Sequence, residues 1–178
     1  MRTINVDNCT LLLIDLQTRL MPAIDAGADV LKNARRLRDS AKLLGVPIVI
    51  TEQNPAGIGA TAPEMLNDAA PVETKMSFDA CRVPGFHERL PAGAVVIAGC
   101  EAHVCVLQTA LGLLDRKRQV YLVADAVGSR LPVSKQTALR RLERHGAEIV
   151  TTEMVLFEWL GSCEHPRFRD VLALVKHE

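Results

Sequence analysis

The sequence predicts an α/β fold built on a parallel sheet of about five or six strands with helices on both faces. Short runs of apolar and β-branched residues alternate along the chain with longer segments whose apolar residues recur every three or four positions. The short runs are typical of strands buried on both faces, and the longer segments are typical of amphipathic helices. Because right-handed crossovers place the helices above and below a sheet, this alternation favours parallel strands.

The predicted strands are short and mostly apolar, and several end in a polar residue. They cover residues 10–15, 47–51, 95–99, 119–125 and 147–151, with a shorter extended segment over 72–78. In a parallel sheet the carboxyl ends of the strands meet at one edge, where open α/β folds bind their ligands. We therefore expect Asp15, Thr51, Asp125 and the turn from Cys100 to Cys105 to lie at the same edge. Residues 52–63 are rich in turn formers and predict a substrate loop there.

The connecting helices are indicated by apolar spacing and by terminal residues. Apolar or small residues recur every three or four positions from Val30 to Leu44, which predicts the first crossover helix. Gly45 is expected to end this helix. Further helices are predicted over 64–70, from Cys105 onward, from a Ser134 N-cap to Gly146, over 154–160 with Thr152 as cap, and after Pro166.

Composition excludes several classes of protein. A chain of 178 residues suits a single domain, residues 1–178, with a sizeable core. Basic and acidic residues number 21 each, so we expect no nucleic-acid partner. The five cysteines are scattered without zinc spacing, which favours reduced thiols. The sequence shows neither a membrane-spanning apolar segment nor a secretory leader, so we expect no membrane association and a cytoplasmic location.

Cys105 is the candidate nucleophile. It follows the strand ending at Gly99 by a short turn, and a long helical pattern begins at it. A helix N-terminus favours the thiolate over the thiol, so Cys105 is expected to react with iodoacetamide before the other cysteines. Asp15 can serve as the base, and Lys75 can keep that carboxylate ionised. Backbone N–H groups in the turn, with that of Cys105, can stabilise an oxyanion.

Each of these residues also has a plain structural interpretation. Cys105 can be a small core residue, Asp15 a turn or cap residue, and Lys75 a solvated lysine. His103 can be considered as the base of a Cys–His pair. Its position two residues before Cys105 favours a side chain that points away from the thiol, so Asp15 ranks above it as the candidate base. The remaining cysteines, Cys9, Cys81, Cys100 and Cys163, are interpreted as structural.

Several separated segments resemble the isochorismatase-like cysteine hydrolases: Leu12-Leu-Ile-Asp-Leu-Gln17, Lys75-Met-Ser-Phe78, and Gly99-x5-Cys105 followed by an apolar helix. Residues 51–55, 101–110 and 123–127 are most similar to the isochorismatase-domain-containing and YcaC-like branch. The resemblance implies a three-layer α/β/α sandwich, an Asp15-Lys75-Cys105 triad and dimers or larger assemblies. It also implies a cis Cys100–Glu101 peptide bond that directs the Glu101 and Cys105 N–H groups into an oxyanion hole.

Departures from relatives refine the predicted activity. Nicotinamidases of this superfamily have an Asp-x-His metal site where this chain has Thr51-Glu52-Gln53, so we expect no metal and no cofactor. True isochorismatases lack the cysteine, so Cys105 favours attack on an amide-like carbon. We therefore expect a metal-independent hydrolase of a small amide or related C–N substrate that acts through a thioester.

The predicted pocket includes Gln17, Glu52 and Phe78. Two alternatives remain open: a vinyl-ether hydrolase that uses Asp15 without the cysteine, and a non-enzymatic binding protein. A homo-oligomer is expected because the helices after Thr152 are unusually apolar and Trp159 is predicted near a surface.

Overall fold

The computed structural model describes residues 3–66 and 70–176. All neighbouring strands of its sheet are parallel, and the strand order is β3-β2-β1-β4-β5-β6. The strands are β1 (Cys9–Ile14), β2 (Ile48–Gln53), β3 (Val72–Lys75), β4 (Ala94–Cys100), β5 (Val120–Gly128) and β6 (Glu148–Val150). The predicted parallel α/β fold is confirmed.

Helices cover both faces of this sheet. They are α1 (Gly27–Leu44), α2 (Pro55–Ile58), α3 (Phe86–Arg89), α4 (Leu107–Asp115), α5 (Pro132–Arg144), α6 (Thr152–Leu160) and α7 (Phe168–Lys176). Short 3₁₀ turns lie at Val6–Asn8, Met21–Ala23, Pro63–Met65 and Ala80–Arg82, and a π-helical turn at Ala102–Val106 precedes α4. None of the helices formed by the described residues has the length and apolar character needed to cross a bilayer.

Strand β1 shows why the central strands are apolar throughout. Leu11 and Leu13 belong to the hydrophobic cluster that includes residues of α1, α6 and α7, whereas Leu12 and Ile14 belong to the cluster that includes residues of α4 and α5. Successive side chains of a strand point to opposite faces, so a strand covered on both sides needs apolar residues at every position. This burial fixes β1 and its neighbour β4 at the centre of the molecule.

One predicted helix end is observed, and several helix starts differ from the prediction. Gly45 ends α1 with a φ of 76°, as predicted. However, α5 begins at Pro132 rather than after Ser134, because proline already has the φ of a first helical turn. The side chain of Thr151, one residue earlier than predicted, caps α6. The final helix starts at Phe168, two residues after Pro166. The helix predicted over 64–70 lies partly outside the described residues.

Candidate active site

The candidate site lies at the centre of the carboxyl edge of the sheet. Strand β1 pairs with both β2 and β4, and the chain builds the sheet away from β1 in one direction through β2 and β3 and in the other through β4, β5 and β6. Connections that leave in opposite directions open a crevice between β1 and β4, which is where α/β sheets bind ligands. Residues that follow β1 and β4 therefore face a common crevice.

Asp15 is the first residue after β1, and its side chain is buried. Its φ of 50° turns the chain out of the strand, a conformation that aspartate tolerates better than most residues. The Thr51 hydroxyl donates to Oδ1 at 2.6 Å, and Lys75 Nζ donates to Oδ2 at 2.6 Å. Both carboxylate oxygens are therefore held by partners, which allows an ionised group to remain buried.

Lys75 ends the edge strand β3, opposite Gln53 of β2. Its side chain is buried, so the interpretation of Lys75 as a solvated lysine is wrong. Besides Asp15, its Nζ donates to Gln53 Oε1 at 2.9 Å. A buried ammonium needs such partners, because an unpaired charge in the interior is strongly destabilising.

Cys105 lies in the π-helical turn between β4 and α4, beside these residues. Its Sγ is 4.0 Å from Gln53 Oε1, and the thiol interacts with both Asp15 and Lys75. The pKa of Cys105 is raised to about 12, mainly because the thiol is buried; the negative charge of Asp15 also raises it, whereas the positive charge of Lys75 lowers it. The expected lowered pKa is therefore wrong. The α-helix proper begins only at Leu107, and burial of the thiol outweighs any helix-terminal stabilisation of a thiolate.

Hydrogen bonds to the side chain and to the carbonyl of Glu101 hold the turn before Cys105 in place. The Cys100–Glu101 peptide bond is cis. Glu101 Oε2 accepts hydrogen bonds from the backbone N of Arg130 at 3.1 Å and from its Nε at 3.0 Å, and the Glu101 carbonyl accepts from Val104 N at 3.0 Å. Just upstream, a Cβ at Gly99 would lie 2.0 Å from the Ile14 carbonyl oxygen. Only glycine therefore lets the end of β4 approach the backbone of Ile14, the residue before Asp15, so closely.

Gln53 connects the groups of the site, and the sequence analysis did not identify it as a site residue. Its Oε1 accepts from Lys75, its Nε2 donates to the Met76 carbonyl at 2.8 Å, and its backbone N donates to Gln17 Oε1 at 2.8 Å. The available signal was positional, because Gln53 ends the buried strand β2 at the carboxyl edge of the sheet. Its amide orients Lys75 toward Asp15 and keeps an oxygen next to the thiol.

A cavity of about 370 Å³ opens onto Asp15 and Cys105. Its other lining residues are Leu20, Gln53, Asn54, Ile58, Met76, Phe78, Glu101 and Val104. The structure thus places Phe78 on the cavity wall. More than half of the wall residues are apolar, so this crevice is suited to a small organic molecule.

The structure does not place Gln17 or Glu52 on the cavity wall, which corrects that part of the prediction. The Gln17 amide donates to the Gln53 carbonyl at 3.1 Å and to the Gly59 carbonyl. Glu52 Oε1 accepts from both N and Oγ1 of Thr61 at 2.7 Å. Both side chains hold the loop after β2 in place, and they shape the cavity only indirectly.

Two other candidates lie away from the cavity. His103 Nδ1 is 3.0 Å from Ser129 Oγ, so this histidine side chain is directed toward the segment between β5 and α5 rather than toward Cys105. Asp125 lies within β5, which continues to Gly128, and its Oδ1 accepts from N and Oγ1 of Thr152 at 2.8 and 2.9 Å. The expectation that Asp125 joins the site is therefore wrong. Among residues 3–66 and 70–176, no group of three or more His, Cys, Asp or Glu side chains is arranged to hold a metal ion.

Comparison with known proteins identifies the family. The isochorismatase domain model matches residues 9–154, and the chain belongs to the isochorismatase family. Isochorismatase domain-containing protein 1 of Danio rerio is 39% identical over 166 residues, which cover 91% of this chain and 59% of that protein. The chain therefore spans less than two thirds of that relative. The predicted resemblance is confirmed, and family membership supports a hydrolase.

Solved structures agree with this assignment. The structure of the MAR1 ribonuclease from Caenorhabditis elegans matches with a TM-score of 0.93 and 35% identity, covering 99% of this chain and 93% of that one. YcaC from Escherichia coli, described as an octameric hydrolase of unknown specificity, shares the fold with a TM-score of 0.87 and 22% identity, covering 97% and 96% of the two chains.

Proposed function

We propose that this protein, as a single domain, is a metal-independent cysteine hydrolase of a small amide or related C–N substrate. Asp15, Lys75 and Cys105 are its catalytic residues. The observation that supports this most strongly is the buried 2.6 Å contact between Lys75 and Asp15 next to the Cys105 thiol, beside a cavity that Asp15 and Cys105 line. An acid, a cation and a thiol buried together are costly to maintain for stability alone, and such groups cluster at functional sites.

Acylation begins when the Asp15 carboxylate takes the proton from Cys105 Sγ. Because the pKa of Cys105 is raised to about 12, the resting group is a thiol, and proton transfer must accompany attack on the substrate. The thiolate adds to the carbonyl carbon and forms a C–S bond. The resulting oxyanion accepts hydrogen bonds from the N–H groups of Glu101 and Cys105. When the C–N bond breaks, the leaving amine takes the proton from Asp15.

Deacylation uses the same groups in reverse order. Asp15 takes a proton from water, and the hydroxide adds to the thioester carbon. The C–S bond then breaks, the thiolate regains a proton from Asp15, and the carboxylic acid leaves. Lys75 donates its hydrogen bond to the Asp15 carboxylate and stabilises the negative charge of that carboxylate between steps. Gln53 is a positioning residue, since it contacts Lys75 and lies beside Cys105.

Intact-mass spectrometry during turnover of a panel of small amides tests this proposal. We expect ammonia or amine release together with an acyl adduct whose mass equals the substrate minus the leaving amine, located on Cys105 by peptide mapping. Hydrolysis of a vinyl ether that survives alkylation of Cys105 would instead support the alternative that uses Asp15 alone. A short RNA belongs in the panel because the C. elegans neighbour is named a ribonuclease. RNA cleavage without amide turnover would contradict the proposal.

We also propose that the protein forms a homo-oligomer in the cytoplasm. Trp159 is only 2% exposed, so the prediction that it lies near a surface is wrong. Met154 and Phe157 of α6 are instead exposed and offer an apolar contact area. The five cysteines are all free, which is consistent with a reducing compartment. Sedimentation analysis tests the assembly, since a monomer at micromolar concentration would contradict it.

A further inference from the structure

The charged groups at the catalytic cavity are already paired within the protein. Of the described residues that line it, only Asp15 and Glu101 are charged. Asp15 is held by Lys75 Nζ at 2.6 Å, and Glu101 by Arg130 Nε at 3.0 Å. Each carboxylate is thus paired with a cation, and neither Lys75 nor Arg130 lines the cavity. An ionised substituent would therefore lose its water without gaining a countercharge.

The outer wall of the cavity is apolar and partly open to solvent. Met76 and Phe78 line it and are 71% and 51% exposed. Ile58 and Leu20 lie on the same wall. Large apolar side chains that stay exposed at a cavity mouth lose their contact with water when an apolar group covers them, which favours binding of such a group.

We propose that the substrate is an uncharged amide with an apolar substituent, which Met76, Phe78 and Ile58 enclose while Cys105 faces its carbonyl carbon. This inference rests on the proposed function, because it defines the substrate of the same cavity. A volume of about 370 Å³ lies near the lower end of the range of roughly 300–1,000 Å³ for ligand pockets, so the substrate is small. Burial of each added methylene should raise kcat/KM by about fourfold until the cavity is full.

Three amides with the same six-carbon chain separate the effect of charge from that of chain length: hexanamide, 6-aminohexanamide and the monoamide of adipic acid. We expect ammonia release from hexanamide with a kcat/KM at least about tenfold above that of either charged analogue. Equal or faster turnover of a charged analogue overturns the inference and leaves the proposed hydrolase intact.

Binding to the Cys105→Ala variant tests the inference without turnover. A ligand that binds the folded state raises the thermal midpoint, so hexanamide should raise it more than either charged analogue at equal concentration. If this order holds while the parent protein hydrolyses no amide, the preference of the cavity for an uncharged apolar ligand stands and the proposed hydrolase function fails. If the charged analogues raise the midpoint as much as hexanamide, the inference fails.

Variants of the wall give a matched control. Met76→Arg adds a cation at an exposed position of the cavity wall, and we expect it to reverse the preference between hexanamide and the adipic monoamide. Val133→Arg adds the same charge at an exposed position that does not line the cavity and should leave the preference unchanged. Phe78→Ala should lower kcat/KM for hexanamide about tenfold more than for acetamide, which is too short to use this wall. An unchanged preference in both cavity variants contradicts the inference.

Discussion

Asp15 and Asp125 follow similar apolar runs in the sequence, yet the structure gives them different surroundings. Asp15 directly follows the last residue of β1, and its carboxylate interacts with a lysine ammonium, a threonine hydroxyl and a cysteine thiol. Asp125 remains inside β5, and its Oδ1 accepts two hydrogen bonds from Thr152 at the start of α6. A buried carboxylate that meets a cation beside a nucleophile can move protons, whereas one bound at a helix N-terminus holds that helix in place.

The position of each strand in the sheet produces this difference. Strand β1 lies between β2 and β4, so its carboxyl end faces the crevice. In β5 the pairing with β4 shifts between Ile97 and Gly99, and the extra residues of β5 carry the strand past Asp125 to Gly128. The sequence pattern of an apolar run ending in an acid is therefore common to the aspartate that we propose as catalytic and to a structural aspartate.

The largest expected difference between the two aspartates is in catalysis. Asp15→Asn removes the proposed general base and should lower kcat by about 10² to 10⁴-fold. Asp125→Asn should leave kcat within about threefold, because its contacts are with α6 and not with the cavity. Steady-state kinetics on an amide that the parent hydrolyses measures both. A similar loss in the two variants would contradict the distinction between the two aspartates.

The next largest difference is in stability when each aspartate loses a partner. Lys75→Met leaves the buried Asp15 charge unpaired and should lower the free energy of unfolding by about 3–5 kcal/mol. Thr152→Val removes one hydroxyl but keeps the backbone N–H donor to Asp125, and should cost about 1 kcal/mol. Urea unfolding gives both values.

A double variant supplies the control for this comparison. Asp15→Asn with Lys75→Met removes both charges together, so it should recover most of the stability that Lys75→Met loses. If the single Lys75→Met variant is as stable as the parent protein, Asp15 is not held as a buried ion.

A smaller effect is expected on the reactivity of Cys105. Because its pKa is raised to about 12, the thiolate fraction and the alkylation rate should rise about tenfold per pH unit from neutral pH toward that value. Asp15→Asn removes the negative charge that raises this pKa, so alkylation at pH 8 should become about tenfold faster. Asp125→Asn should not change the rate.

Peptide mapping after timed alkylation follows each cysteine separately. Exposed Cys163 is expected to react before Cys105 at neutral pH. Rapid alkylation of Cys105 at pH 7 in the parent protein would contradict the raised pKa.

The sequence predicted the strands and the central residues of the site better than their surroundings. All-apolar runs are strongly determined by burial on both faces, so the ranges around β1 and β4 were predictable. The position of Asp15 followed from the end of such a run. Burial of Lys75 did not follow from its segment, because β3 is mostly exposed and only the fold brings Nζ to Asp15.

The errors share a physical cause, because each property depends on contacts with other segments of the folded chain. Gln17 and Glu52 were assigned to the pocket by their position near strand ends, but a polar side chain there can equally bind the backbone of the adjoining loop, and both do so. The role of Gln53 depends on its register with Lys75, which no single-strand pattern specifies. The pKa of Cys105 depends on burial, which outweighs the local helix position.

The most direct test of the central claim is kcat/KM of Cys105→Ala, measured on an amide that the parent protein hydrolyses, with Cys81→Ala as the matched control. Cys81 is also buried, but its Sγ contacts the Thr109 carbonyl and lies outside the cavity. We predict a loss of at least about a thousandfold for Cys105→Ala and a near-parental rate for Cys81→Ala. A Cys105→Ala protein that hydrolyses the amide at the parental rate would contradict the account.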